Sequence, residues 1–255
     1  MKIYADPITV NCRKVLAGLQ LMDIDYERVH VDYFTAQQKT DWYRAVNPNE
    51  SVPALVDGDF TLWESNAILQ YAADKLGKAA FYPKDLKVRA DINRWMLWES
   101  NSWFPSTYIY LVENVVKPVL GASPDPAVLE AEAPRFHKLA AILETQLGKT
   151  KWLCGDSVTI ADIAMAAPMH LHPFQKLPLQ NYPNIRRWMT EQVEKLPCWD
   201  NTFVGDGFTL KKTGRPIAPV KPPFTASTTF DDTYARRTAA RSSHHELLRR
   251  QRGAD

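Results

Sequence analysis

Asn47 to Ile68 reads NPNESVPALVDGDFTLWESNAI. Asn47-Pro48 ends a preceding polar helix, and the bond from Val52 to Pro53 leads into a short apolar run, Ala54 to Val56. Asp57-Gly58-Asp59 has hairpin chemistry, because glycine tolerates the positive φ of a tight turn. Thr61 to Trp63 then returns as a second strand. Glu64-Ser65 stands where the apolar spacing becomes helical, with Ile68, Leu69, Ala72 and Leu76 facing inward and Gly77 closing the helix. The order places free backbone groups beside a helix N-terminus, a layout suited to a small anionic peptide-like ligand.

Upstream, Lys2 to Ala5 predicts a short strand, broken by Asp6-Pro7. Thr9 is the candidate N-cap of a helix over Val10 to Met22, where Cys12, Val15, Leu16, Leu19 and Met22 recur at helical spacing. Tyr26 to Val31 alternates as a strand, and Thr35 to Val46 predicts a polar helix. The fold class is therefore α/β: a thioredoxin-like N-terminal domain over 1–78, with a four-stranded mixed sheet.

Beyond Tyr82-Pro83 the pattern is all-helical, giving a second domain over 87–200. Lys87 to Val119 predicts one long aromatic-rich helix, bent near Pro105. Pro126 to Leu147 predicts another. Thr159-Ile160-Ala161-Asp162 is a capping signature, with Asp in place of the usual Glu. Pro168 should kink the helix it opens, and Asn184 to Lys195 predicts a fourth. The stretch 201–255 is a Pro-rich and basic extension, in which Thr233 to Arg252 could form a short helix.

Of 255 residues, 45% are hydrophobic, enough for a sizeable core. Net charge is +2 and concentrated in the tail, where 206–255 hold 10 Lys/Arg against 5 Asp/Glu. The body carries the opposite balance, 21 against 24, so nothing points to nucleic acid as a partner. The cysteines Cys12, Cys154 and Cys198 are few and scattered, as in a reducing compartment, with no zinc spacing. His170 and His172 are two apart and do not share a helix face, so no metal site is expected. No leader pattern opens the chain, and no apolar run approaches the roughly 20 residues of a membrane helix. A soluble, cytoplasmic protein is expected.

Five motifs together resemble the glutathione S-transferase superfamily over roughly residues 1 to 200. They are Tyr4-x-x-Pro7-x-Thr9-x-Asn11-x-Arg13-Lys14-Val15, Asn47-Pro48, Val52-Pro53-Ala54-Leu55, Glu64-Ser65-x-Ala67-Ile68 and Gly155-Asp156-x-x-Thr159-Ile160-Ala161-Asp162. The first motif is similar to the bacterial, theta-like branch.

The resemblance implies a homodimeric detoxification enzyme with glutathione as co-substrate and no metal. The thiolate of glutathione would attack a small hydrophobic electrophile. The family carries Pro53 in cis, leaving the Val52 backbone to pair with the cysteinyl part of glutathione. Ser65 would hold the γ-glutamyl carboxylate at the helix N-terminus, and Glu64 the ammonium group. Gln38 and Lys39 match positions used for the glycine carboxylate. Ser51 departs from the family, where many relatives carry Lys or Arg.

A free thiol has a pKa of about 8.5, so a donor aimed at sulfur is needed to favour the thiolate. Thr9 matches the serine of theta-like relatives, and Asn11 could donate its amide. Tyr4 reads as a packed strand residue and Cys12 as a buried, inert thiol. Among Trp95, Trp98, Trp103, Phe104, Tyr108 and Tyr110, the stretch holding Trp103, Phe104 and Tyr108 is the expected electrophile pocket wall. Related outcomes stay open: dehalogenation, ether cleavage, disulfide reduction, or glutathione binding without turnover.

Overall fold

Strand-forming runs of four residues alternate with helices over the first third of the chain. The computed structural model describes residues 1–201. The strands are β1 (Lys2–Ala5), β2 (Glu27–His30), β3 (Ala54–Asp57) and β4 (Phe60–Trp63). They form one mixed sheet in the order β2-β1-β3-β4. β1 runs parallel to β2 and antiparallel to β3, with Ile3 opposite both Arg28 and Leu55. β3 and β4 are the expected hairpin, and Gly58 takes φ 66° in its turn.

Helix α1 (Val10–Leu21) crosses between β1 and β2, and α3 (Ser65–Lys75) follows β4. Both lie on the sheet through fully buried Cys12, Val15, Leu19, Ile68, Leu69 and Ala72. Burying such an aliphatic side chain contributes about 1.5–3 kcal/mol. The two helices meet at Gly18, where a Cβ would come within 2.5 Å of a Leu69 methyl.

The expected polar helix over 35–46 is not one helix. A 3₁₀ turn at Gln37–Lys39 is separated by extended Thr40 from a short α2 (Asp41–Arg44). Side chains compete here for the helical partners: Asp32 accepts from the Thr35 N–H at 3.0 Å, and the Thr40 hydroxyl donates to the Gln37 carbonyl at 2.6 Å.

The helical part begins with α4 (Leu86–Trp98), capped by Asp85, which accepts from the N–H groups of Lys87 and Val88. The expected long helix is interrupted as predicted near Pro105, by a π turn at Glu99–Trp103. Proline lacks an N–H, and its ring crowds the preceding turn. α5 (Phe104–Leu111), a second π turn at Val112–Val116 and α6 (Lys117–Val119) complete the run.

α7 (Pro126–Leu147) has the predicted bounds. α8 (Ile160–Ala166) opens on the predicted capping box between Thr159 and Asp162, and gives way to a 3₁₀ turn containing Pro168. The helix expected over 184–195 is α10 (Pro183–Arg187), followed by a π turn and a 3₁₀ turn that ends at Lys195. Short α9 (His172–Gln175) and α11 (Pro197–Asn201) have no counterpart in the sequence reading.

Asp162 organises this half. Its buried carboxylate accepts from the Leu153 N–H at 2.8 Å, the Thr159 N–H at 2.9 Å and the Trp188 indole at 3.0 Å. Burial still pushes its pKa up against those bonds. No described helix is long and apolar enough to cross a membrane. The extension and its expected helix over 233–252 lie outside the described residues.

Candidate active site

The loop from β1 to α1 is held by Asp6, whose carboxylate accepts from the N–H groups of Ile8 at 3.1 Å and Tyr33 at 3.0 Å. Thr9 occupies the N-cap position of α1, yet its side chain makes no capping bond. Its hydroxyl instead donates to the Asp6 carbonyl at 3.1 Å. The Cys12 thiol is fully buried, and burial pushes its pKa up to about 12. It holds no thiolate at neutral pH. Tyr4 packs against Trp42 and Tyr43, as expected of a strand residue.

The Val52–Pro53 bond is cis. Among the described residues neither the N–H nor the C=O of Val52 has a hydrogen-bond partner. The approach to this turn is fixed by Asn47, which is fully buried and donates through Nδ2 to the Ser51 carbonyl at 2.7 Å. The Tyr43 hydroxyl donates to the same carbonyl at 2.7 Å. Ser51 thus serves the turn through its carbonyl, and its Oγ also accepts from Asn47 Nδ2 at 3.2 Å.

Glu64, at the head of α3, has φ 75° and ψ 111° and an exposed side chain. A non-glycine residue in such a conformation costs about 1–3 kcal/mol and is held by its surroundings. The next N–H groups begin the helix and have no intrahelical partner. Ser65 is buried, and its Oγ accepts from the Lys14 ammonium at 3.1 Å. The same Oγ donates to Asn11 Oδ1 at a long 3.4 Å. Lys14 is ion-paired with Glu99 at 2.7 Å, both side chains being almost wholly buried. The α3 N-terminus thus presents its helix dipole, with the Lys14–Glu99 pair beneath it.

Gln38 is buried and Lys39 exposed, both in the 3₁₀ turn before α2. The Gln38 side-chain oxygen has no partner among the described residues.

The aromatic residues divide. Trp103 is fully buried, stacked on Trp98 at 6.1 Å and packed on Phe136 at 5.4 Å. It belongs to the core, which corrects its expected place in a pocket wall. Tyr110 packs on Phe136 as well. Phe104 and Tyr108 stack on each other at 5.2 Å and remain partly exposed. They join an apolar cluster with Val10, Leu111, Val115 and Leu171. Val10 opens α1, so this cluster adjoins Thr9 and Asn11.

Lys14 and Glu99 went unnoticed as site residues in the sequence. Lys14 had a signal: it lies four residues after Val10, on a helix whose residues 12–19 are all buried. Glu99 had none, because its inward aim depends on the π turn. Among the described residues no group of three or more His, Cys, Asp or Glu could hold a metal. His172 faces Glu194 at 3.1 Å, while His170 Nδ1 donates to the Ala167 carbonyl at 3.0 Å.

A four-stranded thioredoxin-like sheet domain followed by a helical domain is the architecture of the glutathione S-transferase fold. Residues 2–74 match the family model described as Glutathione S-transferase, N-terminal domain, and residues 109–197 the one described as Glutathione S-transferase, C-terminal domain. The chain belongs to the glutathione S-transferase family. It is similar to the probable glutathione S-transferase GSTF2 of Oryza sativa subsp. japonica, 32% identical over 199 residues, 76% of this chain and 92% of the relative. Glutathione S-transferase 3 of Zea mays is 31% identical over 207 residues, 79% of this chain and 92% of that one. The solved structure of glutathione S-transferase-I bound with lactoylglutathione matches with a TM-score of 0.72 at 28% identity, over 79% of this chain and 97% of that one.

The similarity runs to plant F-type, phi-class relatives, which corrects the expected bacterial theta-like branch. A hydroxyl residue at the head of α1 is too short a motif to separate branches.

Proposed function

We propose that this chain is a cytoplasmic, homodimeric glutathione transferase that adds the glutathione thiolate to an apolar electrophile in detoxification. The observation that carries the reading is the convergence of Asn11 and Ser65 beside the free backbone of Val52. Ser65 and the α3 N-terminus take the γ-glutamyl carboxylate, and Glu64 takes the ammonium group. Val52, before Pro53, pairs with the cysteinyl backbone. Gln38 and Lys39 meet the glycine carboxylate. That geometry delivers the thiol to the head of α1.

Asn11 is the better-placed sulfur donor, because the Thr9 hydroxyl is engaged with Asp6 and must rotate to reach a ligand. Phe104 and Tyr108 offer the electrophile an apolar wall next to that point. Holding both reactants there replaces a bimolecular encounter with an oriented one. The sheet domain over 1–78 binds glutathione and the helical domain over 87–200 binds the electrophile.

Retention on immobilised glutathione, together with conjugation of a generic aromatic halide, tests the reading. Binding and turnover are expected. A folded protein that does neither would refute it.

A further inference from the structure

We propose that Lys14 is a positioning residue for the glutathione site, orienting Ser65 and Asn11 from beneath; this rests on the transferase reading above. An ammonium group only donates hydrogen bonds. Lys14 Nζ, 3.1 Å from Ser65 Oγ, therefore makes that oxygen an acceptor on its inner side. The single hydroxyl proton turns outward, to Asn11 Oδ1 in this structure, and is on the side from which it can swing to the ligand carboxylate. Asn11, with Oδ1 facing Ser65, is left to present its Nδ2 donor to the thiol.

Glu99 makes this arrangement possible. A lone ammonium in the core would be costly, and Glu99 Oε2 neutralises it at 2.7 Å. Asn66, the residue after Ser65, donates to the same oxygen at 3.1 Å and to the Met96 carbonyl at 2.8 Å. Among the described residues Glu99 is the only carboxylate paired with Lys14. Glu99 also begins the π turn that leads directly into Phe104 and α5. One buried pair thus connects the head of α3, the head of α1 and the helix bearing the aromatic wall.

The test compares the wild type with Glu99→Gln, which leaves Lys14 as a donor, and with Lys14→Met/Glu99→Gln, which removes both charges and avoids an unpaired carboxylate. Thermal melts establish folding. The readout is the pH profile of kcat/KM for glutathione with an aromatic halide, together with the separate kcat and KM values. The double variant is expected to lose about tenfold in kcat/KM at neutral pH, with its ascending limb moved up by about one pH unit. Glu99→Gln, which unpairs the ammonium but keeps it as a donor, is expected to move the limb less than the double variant does. A folded double variant with the wild-type profile overturns the proposal, as does a limb that moves equally in both variants. If the double variant does not fold, a limb displaced further in folded Lys14→Gln than in Glu99→Gln decides for Lys14, and one displaced no further decides against it. A wild type that neither binds nor conjugates glutathione refutes the transferase reading instead.

Discussion

Ser65 Oγ stands 3.4 Å from Asn11 Oδ1, so the residue assigned to the carboxylate of the ligand touches the residue assigned to its sulfur. Glutathione is long enough to need two anchors, and here they share one hydrogen-bond chain.

Asn11→Ala is predicted to lower kcat/KM for glutathione by about 10- to 150-fold, the effect of about 1.5–3 kcal/mol from one hydrogen bond to a charged group. Thr9→Ala is predicted to cost less, because its hydroxyl serves the Asp6 carbonyl. Steady-state kinetics on both variants checks the order, and a larger loss in Thr9→Ala would reverse the assignment.

The split among the aromatic residues predicts two kinds of defect. Trp103→Ala empties a core position and is predicted to destabilise the fold by about 3–5 kcal/mol. Tyr108→Ala is predicted to leave the denaturation midpoint nearly unchanged and to raise KM for the electrophile, with KM for glutathione unaffected. Denaturant titration beside kinetics with each substrate varied in turn separates the two.

Asp162→Ala leaves the Leu153 and Thr159 N–H groups and the Trp188 indole without their acceptor. Orphaned buried donors cost about 1–3 kcal/mol each, so a loss of several kcal/mol is predicted. Trp188→Phe removes only one of these bonds and should cost less. Urea midpoints of the two variants measure the ranking.

His170 gives stability a pH dependence. Burial, with the Arg13 charge nearby, pushes its pKa down to about 3. In the unfolded chain a histidine takes a proton near pH 6.5. Above that pH the group is neutral in both states and contributes nothing to the dependence. Between about 6.5 and 3 the unfolded state binds the proton and the fold does not, so stability falls as pH falls. His170→Gln is predicted to flatten the decline of Tm between pH 7 and 5. An equal decline in both proteins would remove His170 as its source.

Much of this was legible in the sequence. The hairpin at Gly58, the bounds of α7 and the capping box at Thr159 all follow from local chemistry, where one turn residue or one capping pair decides the conformation. The broken segment at 35–46 was not legible, because Asp32 and Thr40 redirect backbone partners through side-chain bonds that periodicity does not register. Trp103 and Phe104 are adjacent in sequence, yet one belongs to the core and the other to a partly exposed apolar cluster, a division that falls where the π turn ends at Trp103. The Lys14–Glu99 pair spans 85 positions, and no local pattern announces such a contact.

Under the proposed function the head of α1 favours the glutathione thiolate. Titrating the ultraviolet absorbance of the bound thiolate against pH tests it most directly. A midpoint at least one unit below that of free glutathione is expected, returning most of the way in Asn11→Ala. A bound thiol that titrates like the free one would contradict it.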